Sequence, residues 1–174
     1  MRRPFAVVVA VLVSLGTLGA VSAAAVAAAS GHGGTGGRSL VVTNDDGELA
    51  RVPLAADTFA VSYRNSIYGT LAEERYVVQA DGSYRLAEIA ADQLAVLEEY
   101  YGVPGTPAAA GPDDRRNYVV PPDPSRPAVF ETLSIAATDL GQRTLHVPGE
   151  PPLQLWRLAG NDDPYVELDI KETP

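Results

Sequence analysis

The 174-residue chain is 46% hydrophobic, has no cysteine, and carries 22 acidic against 13 basic residues for a formal net charge of −9. Lack of cysteine removes disulfide stapling, thiolate catalysis and cysteine-ligated zinc. The acidic balance opposes nucleic acid and anionic lipid, and a chain of this length is expected to build one core rather than two full domains.

Arg2 and Arg3 are followed by residues 5–29, which contain no charged side chain. A basic start, an apolar run and a small-residue tail are the parts of a secretory signal, with Val21-Ser22-Ala23 and Ala27-Ala28-Ala29 as cleavage sites. The run is also long enough to remain as a membrane anchor. Residues 1–30 are therefore read as a signal peptide or signal anchor helix, and the protein as exported: extracellular, periplasmic, or held to the membrane by its N-terminus. Without Arg2 and Arg3 the remainder has 11 basic against 22 acidic residues, about −11, a charge that serves solubility. Residues 31–38 begin Gly-His-Gly-Gly-Thr-Gly-Gly, which has nothing to bury and reads as a flexible tether.

Residues 39–174 are expected to form one mainly antiparallel β domain, a sandwich or an open barrel. Short β-branched or aromatic runs alternate with turn residues throughout. Residues 40–43 and 48–54 flank Asn44-Asp45-Asp46-Gly47, a hairpin with an Asp-Gly turn. Phe59, Val61 and Tyr63 alternate with smaller or polar residues, giving a strand with one buried face. Residues 75–79 and 84–89 make a second hairpin about Ala80-Asp81-Gly82-Ser83. Residues 92–101 fit a short helix capped by Asp92 and stopped by Gly102, or a strand, and the strand is favoured on a resemblance given below. Seven prolines make residues 102–127 an irregular excursion, in which Asp113, Asp114, Arg115 and Arg116 are read as solvated turn residues. Residues 130–136, 143–147, 153–158 and 165–170 are the remaining strands. Phe59, Val61, Tyr63, Tyr76, Val78, Leu133, Ile135, Leu145, Val147, Leu155 and Leu168 are assigned to the core.

Little in this pattern points to an enzyme. His146 lies between Leu145 and Val147 in a strand with no local nucleophile signature, and reads as a structural histidine. No G-x-S-x-G elbow occurs. Neighbouring carboxylates at Glu73-Glu74 and Glu98-Glu99 would point to opposite faces of a strand, so neither doublet supplies a glycosidase pair. Asn44-Asp45-Asp46-Gly47-Glu48 and Asn161-Asp162-Asp163 are oxygen-rich, but turn formation explains them more economically than calcium. No catalytic residue, metal site or cofactor is assigned.

The densest polar cluster runs from Tyr63 to Tyr76, reading Tyr-Arg-Asn-Ser-Ile-Tyr-Gly-Thr-Leu-Ala-Glu-Glu-Arg-Tyr. Here the chain resembles the bacterial and archaeal family catalogued as domain of unknown function 1850, whose pattern is an aromatic strand, then H-S-V-x-K-T-P-V, an acidic residue and an aromatic. Ser66, Ile67, Thr70, Glu74 and Tyr76 agree with that pattern without a gap. Tyr101-Gly102-Val103-Pro104 echoes the family's aromatic-x-G-A-G-L-P segment, which follows a strand. The rhythm of Arg143-Thr144-Leu145, Leu153-Gln154-Leu155 and Val166-Glu167-Leu168 is similar too. Asn65 stands where the family has His, Gly69 where it has Lys, and Leu71 where it has Pro. Asn cannot gain a proton near neutral pH, so a proton-dependent role of that His would not carry over.

The family's genes commonly lie beside those of TAXI-type tripartite ATP-independent periplasmic transporters. The resemblance therefore implies a non-enzymatic accessory or ligand-handling component, with transporter subunits or a small solute as partners. A secreted hydrolase with a spatially assembled site, and a structural envelope domain, are the alternatives. Asn65, Ser66, Thr70 and Glu74 are the candidate ligand- or partner-binding polar residues, with Tyr63, Tyr68 and Tyr76 as amphipathic walls. A tight β-β connection held by side-chain hydrogen bonds is the competing reading of residues 65–74.

Overall fold

The structure, a computed structural model, describes residues 37–160 and 162–173. The signal or anchor segment and nearly all of the tether fall outside the described residues. Arg38, placed in the tether from sequence, instead opens the first strand, because its backbone pairs with both Glu172 and Leu54.

The chain is mainly β, in two antiparallel sheets that do not close into a barrel. The smaller sheet has the order β2-β1-β12-β9, from β1 (Arg38–Asn44), β2 (Gly47–Leu54), β9 (Thr132–Ala136) and β12 (Tyr165–Glu172). The larger has the order β11-β10-β3-β4-β5-β7-β6. Its centre is the meander β3 (Thr58–Arg64), β4 (Leu71–Val78) and β5 (Tyr84–Ala91), flanked by β6 (Ala108–Ala109), β7 (Tyr118–Val120), β10 (Thr144–His146) and β11 (Leu153–Gln154). Strand β8 (Val129–Phe130) pairs with the start of β5.

The period-2 alternation read in β3 sorts the larger sheet into two faces. Phe59 and Val61 enter a core cluster with Tyr76, Tyr84 and Leu145, and from the smaller sheet Leu40, Val42, Ile135, Val166 and Leu168. Both sheets thus share one core, and Tyr84 of β5 donates a hydrogen bond across it to the Leu168 carbonyl of β12 at 2.7 Å. Of the residues assigned to the core, all are buried except Leu133, which is half-buried. Further along the same face, Tyr63, Ala72, Ile89 and Ala91 pack against Val96 and Leu97 in a second cluster.

That second cluster explains why residues 92–101 are not the favoured strand. Val96–Tyr101 is helical with a π-wound turn, and Val96 and Leu97 are both fully buried. Consecutive residues cannot both face inward from a strand. Asp92 does not cap this helix, since its carboxylate takes a hydrogen bond from Arg116; Gly102, at φ 55° in the left-handed region, ends it.

Residues 153–158 are likewise strand only at β11; Leu155–Ala159 is a short helix, α1, which turns buried Leu155 and Ala159 together onto the main core. The excursion 102–127 is not wholly irregular, because it contains the β6-β7 hairpin on the edge of the larger sheet. Strand β4 begins at Leu71 rather than at Arg75, which leaves residues 65–70 as the connection. In the first hairpin Asp45 and Asp46 form the two-residue loop, and Gly47, at φ 119°, starts β2. Among the described residues no helix is long and apolar enough to cross a membrane.

Candidate functional site

Registration of β3, β4 and β10 places Ser62 beside Glu73 and Thr144, and Ala60 beside Arg75 and His146. All of these lie on the face of the larger sheet turned away from the shared core. Glu73 is 0% exposed there, under residues 111–117. Its Oε1 accepts from Arg75 Nε at 2.8 Å and from Arg115 Nη2 at 2.7 Å, while Oε2 accepts from Arg115 Nε at 3.2 Å. Arg116 Nε stands 3.6 Å from Oε2, too far for a hydrogen bond, and is buried without a partner. Burial alone pushes the Glu73 carboxyl up, but the hydrogen bonds from Arg115 and Arg75 outweigh it and hold the group below its ordinary value.

The outer partners of the arginines latch the covering segment. Arg75 donates to both oxygens of Asp114 at 2.5 and 2.8 Å and to Glu88 at 2.7 Å. Arg116 donates to both oxygens of Asp92 at 3.0 and 3.1 Å. The Arg75 guanidinium holds the Asp114 carboxyl down to about 2. Asp114 and Arg116 are therefore not the solvated turn residues expected from sequence, and Arg115, although exposed, is tied to Glu73. A fork with fixed donors lets one guanidinium satisfy several carboxylates at once, and that geometry straps the excursion onto the sheet.

Beside this strap lies a pocket of about 720 Å³, bounded by Ala60, Arg75, Glu88, Arg115 and His146 and by the β10-β11 connection at residues 147–152. The volume falls in the range of small-molecule sites. His146 Nε2 and Ser62 Oγ are 2.8 Å apart. Burial lowers the His146 pKa, so the ring is neutral at neutral pH and accepts from or donates to the hydroxyl according to tautomer. The buried carboxylate nearest this pair, Glu73, spends its oxygens on arginines, so the ring is held by Ser62 rather than by an acid.

The seven candidate residues divide between two places. Tyr63, Glu74 and Tyr76 come together on the core-side face. Tyr63 OH donates to Tyr101 OH at 2.8 Å, and Tyr101 and Tyr76 each donate to Glu74 at 2.8 Å. Burial is the main cause that raises the Tyr63 phenol to about 12 and raises those of Tyr76 and Tyr101 further, so all three are donors. Glu74 thus seals the seam between the two apolar clusters. Glu73 and Glu74 point to opposite faces, as the strand alternation requires.

Asn65, Ser66, Tyr68 and Thr70 belong to the separate 65–70 turn. Buried Asn65 accepts from the backbone N–H of Ile67 at 3.0 Å and of Tyr68 at 3.1 Å, an Asx turn. The expectation that Glu74 shares one connection with these residues fails, because Leu71 already begins β4. Ser66 is exposed, Tyr68 donates to Glu99 at 2.5 Å, and Thr70 Oγ1 is buried without a hydrogen bond.

The outer-face group of Ser62, Glu73, Arg75, Asp114, Arg115, Arg116 and His146 escaped the sequence reading, although Glu73 and Arg75 two apart on a strand gave one usable signal. Charged residues at i and i+2 on a central strand share a face and require partners when that face is covered.

Comparison with protein-family models, with curated proteins and with solved structures finds no match to this chain.

Proposed function

We propose that this chain is an exported, non-enzymatic ligand-handling component that accompanies a TAXI-type solute transporter. On this reading a β-sandwich domain is carried outside the membrane by the N-terminal signal or anchor, and the outer-face pocket takes a small solute. The observation that supports it is the pocket itself: about 720 Å³ beside a segment latched down by Glu73, Arg75, Arg115 and Arg116. Holding a buried carboxylate among arginines is expensive in desolvation and gives little net stability over an apolar core. Such a network is well suited to fixing the wall of a binding site. The resemblance at Ser66, Ile67, Thr70, Glu74 and Tyr76 supplies the transporter link.

The test is mass spectrometry of solutes carried through purification of the full-length protein. A small solute is expected with wild type and not with Ala60→Leu, which fills the floor of the pocket. Equal recovery from both proteins would refute the pocket as the site.

The hydrolase reading is favoured by one observation, the 2.8 Å approach of Ser62 Oγ to His146 Nε2. Turnover of an ester panel by wild type, lost in Ser62→Ala, would establish it over the binding reading.

A further inference from the structure

At the opposite end of β3 from the outer-face pocket, two arginines stand out because the protein is acidic and most of its other arginines are neutralised. Arg38, Arg51, Arg75, Arg115, Arg116 and Arg126 each form an ion pair, whereas Arg64, Arg85, Arg143 and Arg157 form none among the described residues, and of these four Arg64 and Arg143 share a pocket. Both line a second pocket of about 170 Å³, together with Asn65, Ser66, Thr138 and Tyr100. Asp139, in the same turn as Thr138, pairs with neither arginine, so no described carboxylate occupies the position that their charge favours.

The pocket is held in shape by backbone. Arg64 N–H donates to the Gly141 carbonyl at 2.7 Å and Gln142 N–H to the Thr138 carbonyl at 2.9 Å, joining the end of β3 to the 138–142 turn. Gln142 accepts a left-handed φ of 49° to close that turn. Arg143 lays its guanidinium over the Tyr63 ring, 4.3 Å from the centroid. Stacking uses the face of a guanidinium and leaves its in-plane N–H donors free. Arg64 Nη1 is fixed by the Gly69 carbonyl at 2.7 Å. The pocket holds about five or six water volumes, at roughly 30 Å³ each, enough for a carboxylate and a few carbons.

Around its mouth the surface turns apolar. Tyr100 is 53% and Leu140 68% exposed, and Ile67, on the same turn as Ser66, is 71% exposed. Three large side chains kept in water stand beside two guanidiniums that no described carboxylate pairs, a surface that suits an amphipathic ligand.

We propose that Arg64 and Arg143 bind a small monocarboxylate whose apolar tail lies against Tyr100 and Leu140. The carboxylate takes in-plane N–H donors from Arg143, which a fork presents in bidentate fashion, with Ser66 at the rim. This inference does not depend on the outer-face pocket and survives if that pocket proves empty.

The experiment is a titration of the full-length protein with sodium acetate, butyrate and hexanoate at constant ionic strength, followed by arginine side-chain and backbone amide NMR shifts. Saturable shifts at Arg143 and Gly141 are expected, with butyrate binding roughly sixteenfold tighter than acetate when both of its extra methylenes are buried, since each contributes roughly fourfold. Arg143→Gln should weaken binding at least tenfold and Arg85→Gln, at an exposed position of β5 outside the pocket, should leave it unchanged. If Arg143→Gln unfolds the protein, Arg64→Gln, at an exposed position, serves in its place with the same expectation. Shifts reproduced by sodium chloride, no saturation up to 50 mM, or binding retained in the variant that folds would overturn the site. Binding without dependence on chain length would overturn the apolar-tail assignment.

Discussion

Replacing Glu73 by Gln removes one charge from the least exposed polar group on the outer face and leaves its arginines facing a neutral amide. Breaking a buried ion pair from one side costs about 3–5 kcal/mol, because the remaining charge is left uncompensated. Two features place Glu73→Gln at the lower end. Arg115 is 52% exposed and can turn to water, and Arg75 keeps Asp114 and Glu88 as partners. A loss of about 3 kcal/mol is expected, read as a fall of roughly 1.5 M in the urea midpoint for a slope near 2 kcal/mol/M and of roughly 10 °C in Tm for a domain of this size. The double variant Glu73→Gln with Arg115→Gln should recover part of the loss, with a coupling above about 1 kcal/mol. A Glu73→Gln loss below about 1 kcal/mol, with no coupling to Arg115, would show that the carboxylate is not held as described and would remove the latch.

The same network makes acid stability predictable. Asp114 is held at about 2, below its ordinary value, so its contribution is complete above the unfolded pKa near 3.9 and is lost as pH falls toward 2; urea midpoints from pH 5 to 2 should drop for wild type and drop less steeply for Asp114→Asn, in which Glu73 still titrates. His146 is also lowered by burial, so the folded state resists its protonation and stability declines as pH falls below about 6.5; His146→Gln should remove that slope in melts from pH 7.5 to 5. Within the turn, Asn65→Ala should cost about 1–3 kcal/mol by leaving two N–H groups without an acceptor, whereas exposed Ser66→Ala should stay within about 0.5 kcal/mol. Glu74→Ala should cost about 2 kcal/mol, because Tyr76 and Tyr101 lose a shared acceptor, and a change under 0.5 kcal/mol in urea denaturation would contradict that role.

Strands announced themselves where large side chains alternate with small ones, as at Phe59, Val61 and Tyr63, and where turn residues punctuate them, as at Asn44 to Gly47. The same period hid the helix at residues 96–101, since Leu94, Val96 and Leu97 suit either element until the position of Tyr63 and Ala72 decides that consecutive residues are buried. Leu155 was legible as core but not as helix, because a five-residue element shows barely one period. Asp114 and Arg115 read as solvent-facing because local composition cannot show that Arg75 and Glu73 wait about 40 residues away on the covered face of β4, and Arg116 because its partner Asp92 is equally non-local. His146 meets Ser62 across 84 residues through strand pairing, so no local spacing could have joined them. The Tyr63 to Tyr76 cluster was recognisable as polar and aromatic, yet its division between a turn and a core seam depends on where β4 starts.

The transporter link is tested most directly by crosslinking the full-length protein in its native envelope and quantifying what is captured by mass spectrometry. Enrichment of TAXI-type transporter subunits at least tenfold over capture by an unrelated exported protein of similar charge is the expected result. Efficient recovery of the protein itself with no enrichment of those subunits would contradict the proposed role.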